Sequence, residues 1–254
     1  TDITKLMDEC KAMGIQTLGP DVNESNLKFT VNHDGNIRFG LGAVKGVGEA
    51  AVQSIMEERK KNGPFLGIFD FVQRVNLNAC NKKNMECLAL AGGFDSFPEL
   101  KREQYFAANS KGELFLETLM RYGNRYQADK AAAVNSLFGG ENVIDVATPE
   151  IPQGVERWSD LDRLNRERDL VGIYLSAHPL DEFSIVLEHV CNTRMSELED
   201  KAALAGREIT MGGIVTSVRR GVSKNGNPYG IAKIEDYSGS TEIPFWGNDW
   251  VTYQ

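Results

Sequence analysis

The sequence predicts a mostly α-helical chain that ends in an all-β piece. Three observations predict it. Apolar residues recur at helical spacing through most of the first 205 residues, as in Val52, Ile55 and Met56. From Arg207 the spacing changes to strand alternation, with Ile214, Thr216 and Val218 on one parity. Between these, Gly46-Val47-Gly48 separates a short helical run at 41–44 from a longer one at 49–59, which is the helix-hairpin-helix pattern. A bulged first strand followed by a meander fits the start of an OB barrel, cut short at Gln254.

The hairpin is where the chemistry is concentrated. Gly46 and Gly48 let the backbone take positive φ and approach a ligand with no Cβ in the way. Val47 is expected to plug the space between the helices. The turn's N–H groups and the positive end of the second helix then form a site for one phosphate, with Lys45 beside it. Gly46 as a plain helix cap and Gly48 as a plain helix start is the alternative. The apolar plug, the Ala50-Ala51 pair and the lysine favour the full motif.

Composition is that of an ordinary globular chain: 254 residues, 41% hydrophobic and 25% charged. No apolar run is long enough for a bilayer, and no membrane partner is expected. Cys10, Cys80, Cys87 and Cys191 form no Cys-x-x-Cys pair, so reduced thiols packed as small hydrophobes and a cytoplasmic location are expected. The net charge of −8 argues against a generally basic nucleic-acid binder. Its distribution is uneven. Residues 28–83 carry nine Lys and Arg against five Asp and Glu, and residues 84–205 carry twelve against twenty-one. A phosphate site on such a chain is expected to bind weakly and with marked salt sensitivity.

In chain order, residues 2–12 read as a helix, 15–18 as a short strand and 20–25 as turn chemistry. Residues 27–31 and 36–39 form a hairpin around Asp34-Gly35. After Gly63-Pro64, helices are expected over 68–75, with Ile68, Phe71, Val72 and Val75 on one face, and over 82–90, stopped by Gly92-Gly93. Together these two form a degenerate second hairpin, and paired hairpins are expected to grip both strands of a duplex. Lys82 and Lys83 fall in a first turn, where the macrodipole disfavours them. That fits a phosphate partner and a solvated face equally.

Residues 100–133 read as helix with a break near 110–112, and 139–154 as an exposed linker. Leu137 and Phe138 sit at the mouth of that linker, as a folded-back pair or as a motif for a partner's apolar pocket. Helix resumes over 158–175, capped by Ser159-Asp160, with shorter helices over 183–189 and 194–205. His178, His33 and His189 have no nucleophile or metal spacing around them and read as structural. In the β piece the first strand starts at Ile209, with a bulge expected at Gly212-Gly213, and further strands over 229–235 and 241–246. Arg219, Arg220 and Lys224 are candidates for backbone charge, and Tyr229 and Trp246 for base stacking or for core. The chain divides into 1–39, 40–140, 141–154, 155–205 and 206–254 on this reading.

Several strings resemble the C-terminal half of the bacterial replicative DNA polymerase III alpha subunit family. Gly19-Pro20-Asp21-Val22-Asn23-Glu24-Ser25 is similar to the end of its fingers region, and residues 37–51 to its helix-hairpin-helix. Glu86 to Asp95 is similar to the segment that follows. Leu170-Val171-Gly172-Ile173-Tyr174-Leu175-Ser176-Ala177-His178-Pro179-Leu180-Asp181 is its most recognisable string, and Gly212-Gly213-Ile214-Val215 resembles the opening of its OB domain. The resemblance implies hairpins that hold double-stranded DNA behind the active site and an OB domain facing single-stranded template. It also implies that Val134-Asn135-Ser136-Leu137-Phe138 stands where the family docks on its ring-shaped sliding clamp, with Val134 where Gln is common. Other holoenzyme subunits are implied partners.

The family's palm aspartates and their two Mg²⁺ ions fall outside these strings, so no cofactor and no polymerase catalysis are expected of this chain alone. A repair enzyme built on a hairpin and an OB domain is the alternative, and would need an acid cluster or a catalytic lysine near the turn. A scaffold without DNA contact is the other.

Overall fold

Helix α1 (Asp2–Ala12) ends before Gly14 and feeds a small sheet of β1 (Thr17–Leu18), β2 (Thr30–Val31) and β3 (Ile37–Arg38). The strand order is β1-β3-β2, with β1 parallel and β2 antiparallel to β3. Asn32 shapes the β2–β3 turn by accepting from the Asp34 and Asn36 amides. The structure, a computed structural model, describes residues 2–135 and 146–254. These residues fall into two compact units, Asp2–Ser176 and Ala177–Gln254.

The turn at 19–25 is tied firmly into the first unit. The Asp21 carboxylate accepts from the Asn23 and Glu24 amides, and the Ser25 hydroxyl donates to the Phe39 carbonyl at 2.7 Å. Asn23 exchanges two hydrogen bonds with the Phe65 backbone. Val22 is fully buried.

The helices follow: α2 (Glu49–Asn62), α3 (Ile68–Arg74), α4 (Lys82–Ala91), α5 (Arg102–Tyr105) and α6 (Phe115–Asn135). Their apolar stripes meet in one core. Val52 and Ile55 come from α2, Ile68, Phe71 and Val72 from α3, Met85 and Leu88 from α4, and Leu116 and Leu119 from α6. Burying each such side chain contributes roughly 1.5–3 kcal/mol. Phe71 ties the aromatics together, edge-on to Phe65 and Phe94 at 4.7 and 5.2 Å. Gln127 of α6 donates to the Val72 and Val75 carbonyls, which satisfies the C-terminal end of α3.

Two differences from the sequence reading lie here. The break in the helix expected over 100–133 spans 106–114, because Asn109 turns the chain through bonds to Lys111 and Glu113. Of the expected exposed linker, residues 146–154 lie partly against the core through Val146 and Ile151, and Gln104 donates to the Pro152 carbonyl.

Helix α7 (Asp160–Val171) is capped by Ser159 as expected, but it stops four residues early. Gly172 has φ +88°, a left-handed stop that leaves residues 173–176 irregular. The reason is Glu167, only 1% exposed. Its carboxylate accepts from the Leu175 and Ser176 amides, the Ser176 hydroxyl and Arg102. Arg102, itself buried, also pairs with Asp95 at 2.5 Å and donates to the Leu90 carbonyl. Burial alone would lower the Arg102 pKa, but the hydrogen bonds and charges of Asp95 and Glu167 outweigh it.

In the second unit, α8 (Ser184–His189) and α9 (Lys201–Leu204) are short, and Met195–Glu199 is a 3₁₀ turn rather than α-helix. The sheet is an antiparallel meander of β4 (Ile214–Val222), β5 (Pro228–Glu235) and β6 (Ser240–Trp246). The expected strand at 209–213 does not form, and the bulge falls between Val215 and Ser217 rather than at Gly212-Gly213. A Cβ at Gly213 would come 2.8 Å from the Glu235 carbonyl, so the glycines serve close approach instead. A closing helix, α10 (Asn248–Tyr253), has no counterpart in the sequence reading. It lays Trp250 directly over Gly230, where no side chain fits. Among the described residues no helix is long and apolar enough to cross a membrane.

Replacing Glu167 by Ala is expected to cost about 3 kcal/mol of stability, the low end for a broken buried pair because Asp95 still holds Arg102. Urea denaturation followed by circular dichroism measures it; a loss below about 1 kcal/mol would show the pair to be dispensable. The cysteines divide into two classes. Cys80 and Cys87 are buried, and burial pushes the Cys80 thiol up to about 12, whereas Cys10 and Cys191 are half-buried. Native-state alkylation at mildly alkaline pH is expected to label Cys10 and Cys191 well before Cys80, with mass spectrometry as the readout.

Candidate nucleic-acid interface

The turn at 45–48 is built from the inside outward. Leu41, Val44 and Val47 are buried, so the hairpin is plugged as its sequence requires. The Val47 N–H closes the turn on the Val44 carbonyl at 3.1 Å. Gly46 takes φ +82° and rests on α4, where a Cβ would come 2.6 Å from the Cys87 sulfur. Gly48 is different. Its φ is −77°, an extended N-cap conformation open to any residue, so positive φ is needed at one glycine and not at both.

The amides divide in the same way. Lys45 N–H donates to the Leu170 carbonyl at 2.9 Å, at the C-terminal end of α7. Gly48 N–H donates to Asn84 Oδ1 at 2.9 Å. The expectation that both glycine amides stay bare therefore fails at Gly48. Among the described residues no partner meets the amides of Gly46, Glu49 and Ala50, and all three residues are exposed. They open where the positive end of α2 emerges.

The structure separates the two lysines of α4. Lys83 Cε would lie 3.6 Å from a Cβ on Gly46, so Lys83 stands with Lys45 beside the open amides. Lys82 turns to α6, where it pairs with Glu117 at 2.5 Å and reaches Glu86 at 3.8 Å. Its hydrogen bond to Glu117 holds the Lys82 ammonium above the usual lysine range. Glu49, at the first position of α2, sets one carboxylate against these cations.

The sequence reading passed over Asn84. It is buried in the first turn of α4 and joins the two hairpins. The one available signal is its place three residues after Asn81, the helix cap.

In the β piece the register decides which candidates share a face. Tyr229 pairs with Trp246, and Arg219 with Ile231, so Arg219, Tyr229 and Trp246 stand on one side of the sheet. The two rings are 5.0 Å apart, and Trp246 is 56% exposed. Arg219 is paired with Glu242 at 2.5 Å. Arg220 pairs with Gly230 on the opposite side, its guanidinium 5.8 Å from the Trp250 ring, so it does not join that set. Lys224 is exposed in the β4–β5 turn. Val134 and Asn135 lie on the backbone of α6, and Ser136, Leu137 and Phe138 lie outside the described residues.

His178 is structural, as expected: its Nδ1 accepts from the Leu180 amide, and its ring lies 4.5 Å from Tyr237. Among the described residues no group of three or more His, Cys, Asp and Glu is arranged to hold a metal.

Comparison with known proteins agrees with this geometry. A family described as a helix-hairpin-helix motif matches residues 14–105. The DNA polymerase III subunit alpha of Pasteurella multocida is 34% identical over 245 residues, covering 96% of this chain and 20% of that protein. The protein of the same name in Mycobacterium tuberculosis is 34% identical over 253 residues, with the same shares covered. That of Pseudomonas aeruginosa is 32% identical over 262 residues, covering 99% of this chain and 22% of that protein. The chain thus spans about a fifth of the length of the relatives it matches.

The two glycines are expected to answer differently to substitution. Gly46→Ala meets both positive φ and the Cys87 sulfur, and should cost about 1–3 kcal/mol. Gly48→Ala, with its nearest neighbour at 3.9 Å, should stay within about 1 kcal/mol of the unmodified chain. Equal losses in thermal or urea denaturation would contradict the conformations described.

Proposed function

We propose, from its homology to a segment of DNA polymerase III alpha subunits, that this chain serves DNA replication by holding duplex DNA through its hairpin. The observation that carries the reading is the exposed set of Gly46, Glu49 and Ala50 amides at the start of α2, flanked by Lys45 and Lys83. Oriented N–H groups at a helix N-terminus complement a phosphate without reading sequence, and two lysines beside them add Coulomb attraction. A polymerase segment that must slide along any sequence needs that kind of contact.

Tyr229 and Trp246 offer a stacking face for single-stranded template, with Lys233 on the same side of β5. Val134 to Phe138 is proposed as the sliding-clamp docking motif, by resemblance alone, and other holoenzyme subunits and the cytoplasm as its setting. The chain's own residues contribute binding and orientation, and no chemical step is assigned to them.

Duplex binding followed by fluorescence anisotropy across a salt series tests the hairpin role. Lys83→Gln should weaken binding and flatten the log–log salt slope by about 0.9, while Lys82→Gln should leave both unchanged. No effect of Lys83→Gln would remove the hairpin from the interface, and an equal effect of Lys82→Gln would contradict the separation of the two lysines. Separately, Leu137→Ala with Phe138→Ala should abolish capture by immobilised sliding clamp; undiminished capture refutes the docking motif.

A further inference from the structure

We infer that Asn84 is the residue that positions the phosphate-binding turn, and that the second hairpin acts as a brace for the first rather than as a second phosphate site. The inference rests on the duplex-binding reading above. Asn84 is 6% exposed and uses both ends of its carboxamide. Oδ1 accepts the Gly48 N–H at 2.9 Å. Nδ2 donates to Asn81 Oδ1 at 2.9 Å and to the Ala79 carbonyl at 3.4 Å. One planar group therefore links the start of α2 to the loop before α4. With the Lys45 N–H held by the Leu170 carbonyl, the turn is pinned on both flanks of Gly46. Its open amides are thereby left facing solvent in one orientation, which removes an ordering cost at binding.

The same carboxamide network explains why the second hairpin is the supporting member. Its turn, residues 75–81, contains no glycine, and no residue in it takes positive φ. The Asn81 side-chain carbonyl already sits over the start of α4, where it accepts the Asn84 N–H at 3.2 Å as well as Nδ2. An anion approaching that end meets the Asn81 acceptor oxygen beside the Lys82 and Lys83 amides, whereas the start of α2 carries no side-chain cap. Lys82, the first residue of α4, is turned away to Glu117. Lys83 serves the first hairpin, beside Gly46. The tandem unit thus presents one phosphate position, on one strand.

Asn84→Ala leaves the Gly48 N–H without its acceptor and should weaken duplex binding about tenfold at fixed salt, measured well below the melting temperature. Amide hydrogen exchange should show lost protection at Gly48 with α2 and α4 still protected. A merely structural role would lower the melting temperature and leave the affinity of the folded chain unchanged, which overturns the inference alone. Absence of duplex binding by the unmodified chain overturns the underlying reading instead. A second measurement needs no variant: titrating inorganic phosphate into the isotope-labelled chain should shift the Gly46, Glu49 and Ala50 amides and spare those of Lys82 and Lys83. Comparable shifts at Lys82 and Lys83 would make the second hairpin a phosphate site and overturn its role as a brace.

Discussion

The first unit depends on one constraint: the turn at 45–48 must hold three amides outward while the rest of its backbone is satisfied inward. Asn84 and the Leu170 carbonyl do the inward part, from α4 on one side and α7 on the other. A glycine turn left to itself has many conformations of similar energy, and ordering it at binding would cost entropy. Here the ordering is done by folding. The hydrophobic plug of Val47 and Val44 sets the depth of the turn, and the two hydrogen bonds set its direction.

That arrangement explains why a helix far along the chain matters to the hairpin. The α7 carbonyl that meets Lys45 is in place only if α7 is fixed, and the buried Arg102–Glu167 pair fixes it. Buried ion pairs are often no more stabilising than apolar substitutes, but breaking one is costly and geometry is narrowly defined. Glu167 also folds the chain back on itself at 175–176, which turns the end of α7 into a compact cap. The string from Leu170 onward is thus a structural element with two duties. It stops a helix, and it supplies the acceptor that orients the hairpin.

Electrostatics favour a light grip. The chain carries a net charge of −8, and the open amides have two lysines beside them and one glutamate on the same turn. Attraction to phosphate is therefore local and screened within about 10 Å at moderate salt. On the proposed reading, such a site would make a weak, salt-sensitive contact with DNA. In the β piece, Arg219 is engaged by Glu242, so the Tyr229–Trp246 face offers stacking area with little net charge.

By itself the sequence determined most of the helices and their apolar faces, but not the closing helix α10 or the start of β4. Ile68, Phe71, Val72 and Val75 were legible as one stripe because helical periodicity is local, and all four are buried. The Gly-Val-Gly turn, the Ser159 cap and the change to strands were legible for the same reason. Only the tertiary structure decided which groups remained available. Gly46 and Gly48 look alike in sequence, yet a buried carboxamide from another helix claims one amide and leaves the other. Lys82 and Lys83 are neighbours, yet one meets Glu117 and the other meets the turn. Arg219 and Arg220 fall on opposite faces by strand alternation, but only the pairing register shows that Arg219 shares the face of Tyr229 and Trp246. Partners in these contacts lie 35 to 37 residues apart or on different strands, and no local pattern encodes which of them meet.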